Sequence, residues 1–201
     1  YKRQRCDWAM HAASACVAAG FRVLAVSAST PQYDDVIGAL VANPALTVGG
    51  ARLFTGDQVD TCAEAGAQFV MTLGASESDA LETYSAQQSW ITQGMTPAEV
   101  HDAFERGASA VEVFPAAVTG GALYMRHLRD LFPQRDLIAS GGIAGDRIGD
   151  YLEGGCRAVV LSEALLSEEL MANGDRMAIR NHAAVAHREV TRYAQSREVS
   201  G

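Results

Sequence analysis

The six residues AVEVFP, from Ala110 to Pro115, are the segment of this chain that most clearly predicts its fold. They are apolar except for Glu112. Gly107 precedes the segment and Pro115 ends it, and this pattern predicts a short buried strand. A buried carboxylate costs free energy unless it is paired, hydrogen-bonded or neutralised. Glu112 is therefore either a functional group or one half of a structural ion pair.

The same pattern recurs along the chain: a helix-like segment ends in glycine and a strand-like segment follows at once. It occurs around Gly20, Gly66, Gly107 and Gly155, at a spacing of about 40–50 residues, the length of two strand–helix units. Further strands are predicted at 47–52, 89–92 and 137–140. Helices are predicted at 8–19, 33–42, 57–65, 77–87, 97–106, 122–131, 146–153 and 175–197.

Strands that alternate with helices predict a parallel sheet covered by helices, which is the α/β class. Seven strands follow the first helix. One more would complete a (β/α)8 TIM barrel, and an open doubly wound sheet is the alternative; in either fold the functional groups collect at the C-terminal ends of the strands. No linker divides the chain, so we expect a single domain over residues 1–201 with a long C-terminal helix at about 175–197.

The composition predicts a cytoplasmic protein. The 201 residues carry a net charge of −8, which argues against nucleic acid or an anionic membrane as the partner. No apolar run approaches the roughly 20 residues that span a bilayer, and the four cysteines have no ligand spacing, so we expect reduced thiols. The only lysine is Lys2, so no other side chain of this sequence can form a Schiff base.

Several short motifs resemble those of the 2-keto-3-deoxy-6-phosphogluconate (KDPG) and 4-hydroxy-2-oxoglutarate aldolases. The motifs are Gly20–Leu24, Glu64–Phe69, Phe114–Ala116 followed by Gly120-Gly121, and Ser140–Ile143. They occur in the family's order and the resemblance covers roughly residues 8–165. It implies a (β/α)8 barrel, usually a homotrimer, that cleaves a keto acid to pyruvate and an aldehyde through a lysine Schiff base.

The family's catalytic positions carry other residues in this sequence. Glu112 stands at the position of the Schiff-base lysine, and Ala25 stands at that of the acid–base glutamate. Ser29 replaces a substrate-binding arginine, and Arg52 replaces a threonine. The segment Leu161-Ser162-Glu163 replaces the second phosphate loop. The first phosphate loop persists as Ser140-Gly141-Gly142. The family's first strand is missing or atypical, because residues 1–5 are not strand-like, and Lys2 would lie in the loop after it.

These differences predict a site built on Glu112 and Arg52. In the functional interpretation Glu112 is a general base and Arg52 binds a carboxylate or phosphate; in the structural one they are a buried ion pair. Seven further residues are predicted to bind the substrate or an anion: Thr72, Gln93, Phe114, Ser140, Gly141, Gly142 and Ser162. No cofactor is expected, although Glu112 with Glu163 could hold Mg²⁺ or Mn²⁺.

Three functions are compatible with these residues. The first is a divergent lyase or isomerase that acts on a small 2-keto acid without a Schiff base. The second is a catalytically inactive barrel used for binding or as a scaffold, and the third is an ordinary aldolase of the family. The expected partner is a small keto acid or anion, with no nucleic acid and no membrane, and the expected assembly is a homotrimer.

Overall fold

The computed structural model describes residues 2–73, 89–167, 170 and 175–198. The helix predicted at 77–87 lies outside these residues. The helices and strands are α1 (Lys2–Ala19), β1 (Val23–Ser27), α2 (Tyr33–Val41), β2 (Thr47–Leu53), α3 (Gly56–Glu64), β3 (Phe69–Thr72), β4 (Ser89–Gln93), α4 (Pro97–Glu105), β5 (Ala110–Val113), α5 (Gly121–Leu131), β6 (Asp136–Ser140), α6 (Ile148–Glu153), β7 (Ala158–Val160) and α7 (Arg176–Glu198). A 3₁₀ turn at Gly145–Arg147 precedes α6.

The chain forms two compact units. The first unit comprises Tyr1–Ala13 and Arg22–Val111, and the second comprises Ser14–Phe21 and Glu112–Gly201. The boundary falls inside β5, so the first unit holds β1 to β4 with the start of β5, and the second holds the end of β5 with β6 and β7. The single domain expected over residues 1–201 stays a prediction.

The strands lie side by side in sequence order within each unit. The pairs β1–β2, β2–β3, β3–β4 and β6–β7 are all parallel. A doubly wound sheet reverses its strand order at a switch point, and neither unit does so, which excludes this alternative. The described residues contain seven strands, as the sequence predicted.

Apolar residues on one side of each helix make the core of its unit. In the first unit Val36, Ile37 and Leu40 of α2 are buried. In the second unit Met125 and Leu128 of α5 are buried, and α7 packs on the 3₁₀ turn and on α6. Within the described residues, no helix has both the length and the apolar character needed to cross a bilayer.

The two ends of the chain test two sequence-based predictions. The C-terminal helix predicted at 175–197 is confirmed as α7. The placement of Lys2 in a loop after a first strand is wrong, because α1 begins at Lys2 and the residue therefore lies in the first turn of a helix.

Three cysteines, Cys16, Cys62 and Cys156, are free and buried. Burial raises the pKa of the Cys62 thiol to about 12, and it raises the pKa of the Cys156 thiol to about 12 as well. Because thiolate is the reactive form of cysteine, both side chains act as apolar core residues of their units.

Two helices of the first unit begin with matching capping boxes. At α4 the Glu99 carboxylate accepts the backbone N–H of Thr96 at 2.7 Å and that of Met95 at 2.9 Å, and these bonds hold the pKa of Glu99 below its usual range. At α3 the amide oxygen of Gln58 accepts the backbone N–H of Thr55 at 3.3 Å. The two boxes therefore have the same geometry, but only one of them titrates.

This difference predicts a pH dependence confined to α4. A depressed folded-state pKa gives stability that is present above the unfolded pKa and lost as the pH falls through the folded one. The loss of unfolding free energy caused by Glu99→Ala should thus shrink between pH 7 and pH 3, whereas the loss caused by Gln58→Ala should not. Urea unfolding of both variants at the two pH values measures this; equal pH dependence in both would contradict it.

Candidate functional site

The end of β5 carries a buried carboxylate. All four residues of β5 are buried, and Glu112 retains 7% of its accessible surface. The strand ends in a cis peptide bond between Phe114 and Pro115, and the Phe114 side chain is 44% exposed. The predicted strand and its buried carboxylate are confirmed, and Glu112 lies at the C-terminal end of a parallel strand, where α/β folds place their functional groups.

The turn after β5 is held against the end of β6. The backbone N–H of Ala116 donates to the carbonyl of Ser140 at 2.7 Å, and that of Ala117 donates to the carbonyl of Gly141 at 3.2 Å. Gly141 has φ +87°, and a Cβ there would lie 2.7 Å from the Phe114 ring. Only glycine fits this conformation at this distance. The structure thus brings Phe114, Ser140 and Gly141 together, as the anion-binding prediction requires.

The glycine loop after β6 leaves backbone donors available. Gly142 also has a positive φ, +71°, and a Cβ there would lie 3.0 Å from the Cβ of Ala117. Among the described residues, neither Gly141 nor Gly142 donates its N–H to a backbone carbonyl outside regular helices and strands. Successive free amides in left-handed conformations form a concavity suited to an anion, so the geometry of this loop fits the predicted role.

Thr72 of the first unit belongs to a buried hydrogen-bonded chain. The indole N–H of Trp90 donates to the Thr72 hydroxyl at 3.0 Å, and that hydroxyl donates to Thr92 at 3.1 Å. Thr72, Trp90 and Thr92 each keep no more than 4% of their accessible surface. The Thr72 hydroxyl therefore satisfies a buried indole donor, and its predicted contact with substrate stays a prediction. Gln93, at the end of β4, is half-buried.

Arg52 is exposed at the end of β2. Its φ of +57° is left-handed, and the pairing of β2 with β3 is irregular between Gly50 and Leu53, which is typical of a β-bulge. The interpretation of Arg52 and Glu112 as a buried structural pair stays a prediction. Binding of a carboxylate by Arg52 stays a prediction.

The segment after β7 is open to solvent. Ser162 and Glu163 are both exposed, and Glu163 adds a negative charge where the resemblance implies a phosphate loop. Across the described ranges 2–73, 89–167, 170 and 175–198, no three or more His, Cys, Asp or Glu side chains form a group that could hold a metal ion. A site of Glu112 and Glu163 would thus have to draw its remaining ligands from elsewhere.

The second unit contains a cleft of about 480 Å³ that was not among the predictions from the sequence. Its lining includes Gly121 at the start of α5, and Arg147, Asp150 and Tyr151 around the start of α6. The one signal in the sequence was the Gly120-Gly121 pair, which starts α5 without a capping side chain.

A sequence model of the KDPG and KHG aldolases matches residues 2–182 of this chain. The chain belongs to this family. The 2-dehydro-3-deoxy-6-phosphogalactonate aldolase of Escherichia coli K12 is 26% identical over 164 residues, which are 79% of this chain and 78% of that protein.

Two solved structures of the family share the fold. One is described as a native KDPGal structure, with a TM-score of 0.83 and 22% identity over 94% of this chain and 91% of that one. The other is the Legionella pneumophila KDPG aldolase with pyruvate captured as a covalent carbinolamine; its TM-score is 0.75 and its identity 22% over 90% of this chain and 88% of that one. The predicted (β/α) barrel of the KDPG aldolase type is confirmed.

The contact between Gly141 and Phe114 predicts an unequal response to alanine. Gly107 also has a positive φ, +92°, but nothing lies within 4 Å of the position of its Cβ. Gly107→Ala should cost about 1 kcal/mol of backbone strain, and Gly141→Ala should cost about 1–3 kcal/mol more because its methyl group meets the Phe114 ring. Chemical unfolding of both variants measures the difference, and equal costs would show that the ring moves freely.

The Trp90–Thr72 hydrogen bond predicts a second stability difference. Thr72→Val leaves a buried indole donor without its acceptor and should cost about 1–3 kcal/mol. Thr72→Ser keeps the hydroxyl and serves as the matched control, so it should cost less. Unfolding free energies together with the emission maximum of Trp90 report on both; a valine variant as stable as the serine variant would contradict the structural role of this hydrogen bond.

Proposed function

We propose that this barrel acts as a lyase or isomerase on a small 2-keto acid, with Glu112 transferring the proton and without a lysine Schiff base. The observation that carries the proposal is the buried carboxylate at the end of β5, two residues before the cis Phe114–Pro115 turn. Family membership supports the substrate class. The Legionella relative holds pyruvate as a covalent carbinolamine, whereas here the only lysine, Lys2, lies in the first turn of α1.

The proposed chemistry requires a base close to the scissile bond. In the retro-aldol direction Glu112 takes the proton of the C4 hydroxyl. The C3–C4 bond breaks, C4 leaves as an aldehyde, and the bonding electron pair passes into the enolate of pyruvate. Glu112 then returns the proton to C3. Removal and return of a proton beside the keto group, by the same carboxylate, would give an isomerase.

The second unit offers an anion-binding group for the same substrate. Gly141 and Gly142 follow Ser140, which is buried at the end of β6, and their amides donate to no backbone carbonyl among the described residues. Preorganised backbone donors stabilise negative charge that develops during a reaction. We assign the substrate carboxylate or the enolate oxygen to this loop. The roles of Arg52 and Gln93 in substrate binding stay predictions from the sequence. A homotrimer and a cytoplasmic location remain expectations.

An ordinary aldolase is the second candidate, because the matching relatives bear aldolase names. In such an enzyme a lysine amine is the nucleophile, and Lys2 would have to supply it. The two candidates differ in whether turnover depends on Glu112 or on Lys2. An inactive barrel would show no turnover that depends on either residue.

The test is pyruvate release from KDPG and from 4-hydroxy-2-oxoglutarate by Glu112→Gln. We expect turnover to fall about 10²–10⁴-fold, the contribution typical of a general base. Glu105→Gln makes the same chemical change on the exposed surface of α4 and should leave turnover unchanged. Unfolding free energies of both variants distinguish a catalytic effect from a folding defect.

Three results would contradict the proposal. Glu112→Gln could retain full turnover, Lys2→Met could abolish it, or the wild-type protein could release no pyruvate and isomerise neither substrate. Assays with Mg²⁺ or Mn²⁺ and with chelator form a separate arm. Release that requires the metal would assign Glu112 as a metal ligand and not as the general base.

A further inference from the structure

The cleft of the second unit lies beside the glycine loop but is distinct from it. The cleft is lined by Ala117, Gly120, Gly121, Ala122, Leu123, Gly142, Ile143, Ala144, Arg147, Asp150 and Tyr151. It shares only Gly142 with the predicted anion loop and includes neither Glu112 nor Phe114. Its volume of about 480 Å³ is within the range of small-molecule sites.

Tyr151 contributes a hydroxyl-bearing side chain to the lining of this cleft. The side chain is 94% buried, since it keeps 6% of its accessible surface. No hydrogen bond joins its hydroxyl to any described residue, yet no fully buried polar side-chain atom of the described residues lacks a partner. The hydroxyl oxygen must therefore be the part of Tyr151 that is open to the cleft. It lies 3.6 Å from where a Cβ on Gly121 would be, at the start of α5.

The start of α5 offers backbone donors to the same space. The N-cap, Gly120, has no side chain that could cap the helix, and the first turn contains no acidic residue. Ala122 and Leu123 line the cleft and lie in that turn, where N–H groups have no acceptor within the helix. The positive end of an eleven-residue helix favours an anion at this place. By contrast, α3 and α4 satisfy their first turns with Thr55 and Thr96.

Arg147 and Asp150 form the polar rim. The guanidinium lies 2.6 Å from the Asp150 carboxylate, and both side chains are largely exposed. A guanidinium has five N–H donors, so a single ion pair leaves several of them available. Asp150 offsets part of the positive charge, and its removal should therefore favour an anion.

We propose that this cleft binds a small oxyanion, a carboxylate or a phosphoryl group, through the Tyr151 hydroxyl, the α5 amides and the Arg147 guanidinium. The phenol and the amides donate hydrogen bonds to the anion, while the positive charge of Arg147 offsets the charge of the anion. This binding does not require the reaction at Glu112, because Gly142 is the one lining residue that the cleft shares with the glycine loop.

Titration with inorganic phosphate and, separately, with acetate tests the proposal. Amide chemical shifts of residues 120–123 report on binding, and whichever anion moves them identifies the ligand chemistry. Tyr151→Phe should weaken binding about ten-fold or more, the effect expected for a hydrogen bond to a charged group. Tyr193→Phe is the matched control: it removes a phenol hydroxyl that donates to the Leu152 carbonyl outside the cleft and should leave binding unchanged.

Removal of the Asp150 charge tests whether the bound ligand is an anion. Asp150→Asn should tighten binding about two- to five-fold, because it removes an opposing surface charge. Weaker binding to Asp150→Asn, wild-type affinity in Tyr151→Phe, or no shift of the α5 amides with either anion would overturn the proposal. If Tyr151→Phe does not fold, Arg147→Gln, at an exposed position, tests the same site and should also weaken binding.

Discussion

The hydrogen bond from the Ala116 amide to the Ser140 carbonyl holds the candidate active site of the second unit together. It brings the turn after β5 onto the end of β6, so that the Phe114 ring lies over Gly141 at a distance that no Cβ allows. Interiors packed this closely do not adjust to an added methyl group without strain. The turn after β5 and the glycine loop after β6 are thus held against each other by backbone hydrogen bonds and by the close approach of Phe114 to Gly141.

Glu112 is the residue on which the proposed function depends. It is a buried carboxylate near the end of β5, and burial of a carboxylate costs free energy unless the group is paired, hydrogen-bonded or neutralised. The position of Glu112 at the C-terminal end of a strand suits a group that transfers a proton.

The sequence contained most of the information about the fold. Glycines at helix ends, short apolar strands and the capping residues Thr55 and Thr96 are local signals, and local signals determine where elements begin and end. The site was harder to predict from the sequence, because its properties arise from contacts between residues that are distant in the chain. The bulge at Arg52, the hydrogen bonds that occupy Thr72 and the open hydroxyl of Tyr151 each depend on neighbours that no spacing in the sequence identifies.

The most direct test of whether turnover proceeds without a Schiff base is the intact mass of the protein after incubation with pyruvate and borohydride, in samples that also release pyruvate from an aldol substrate. A Schiff base would be reduced to a stable adduct on an amine, whereas a carboxylate base forms no such adduct. If Glu112 is the base, the protein keeps its original mass while it turns over substrate. A mass increase of one reduced pyruvate, located on Lys2, would contradict it.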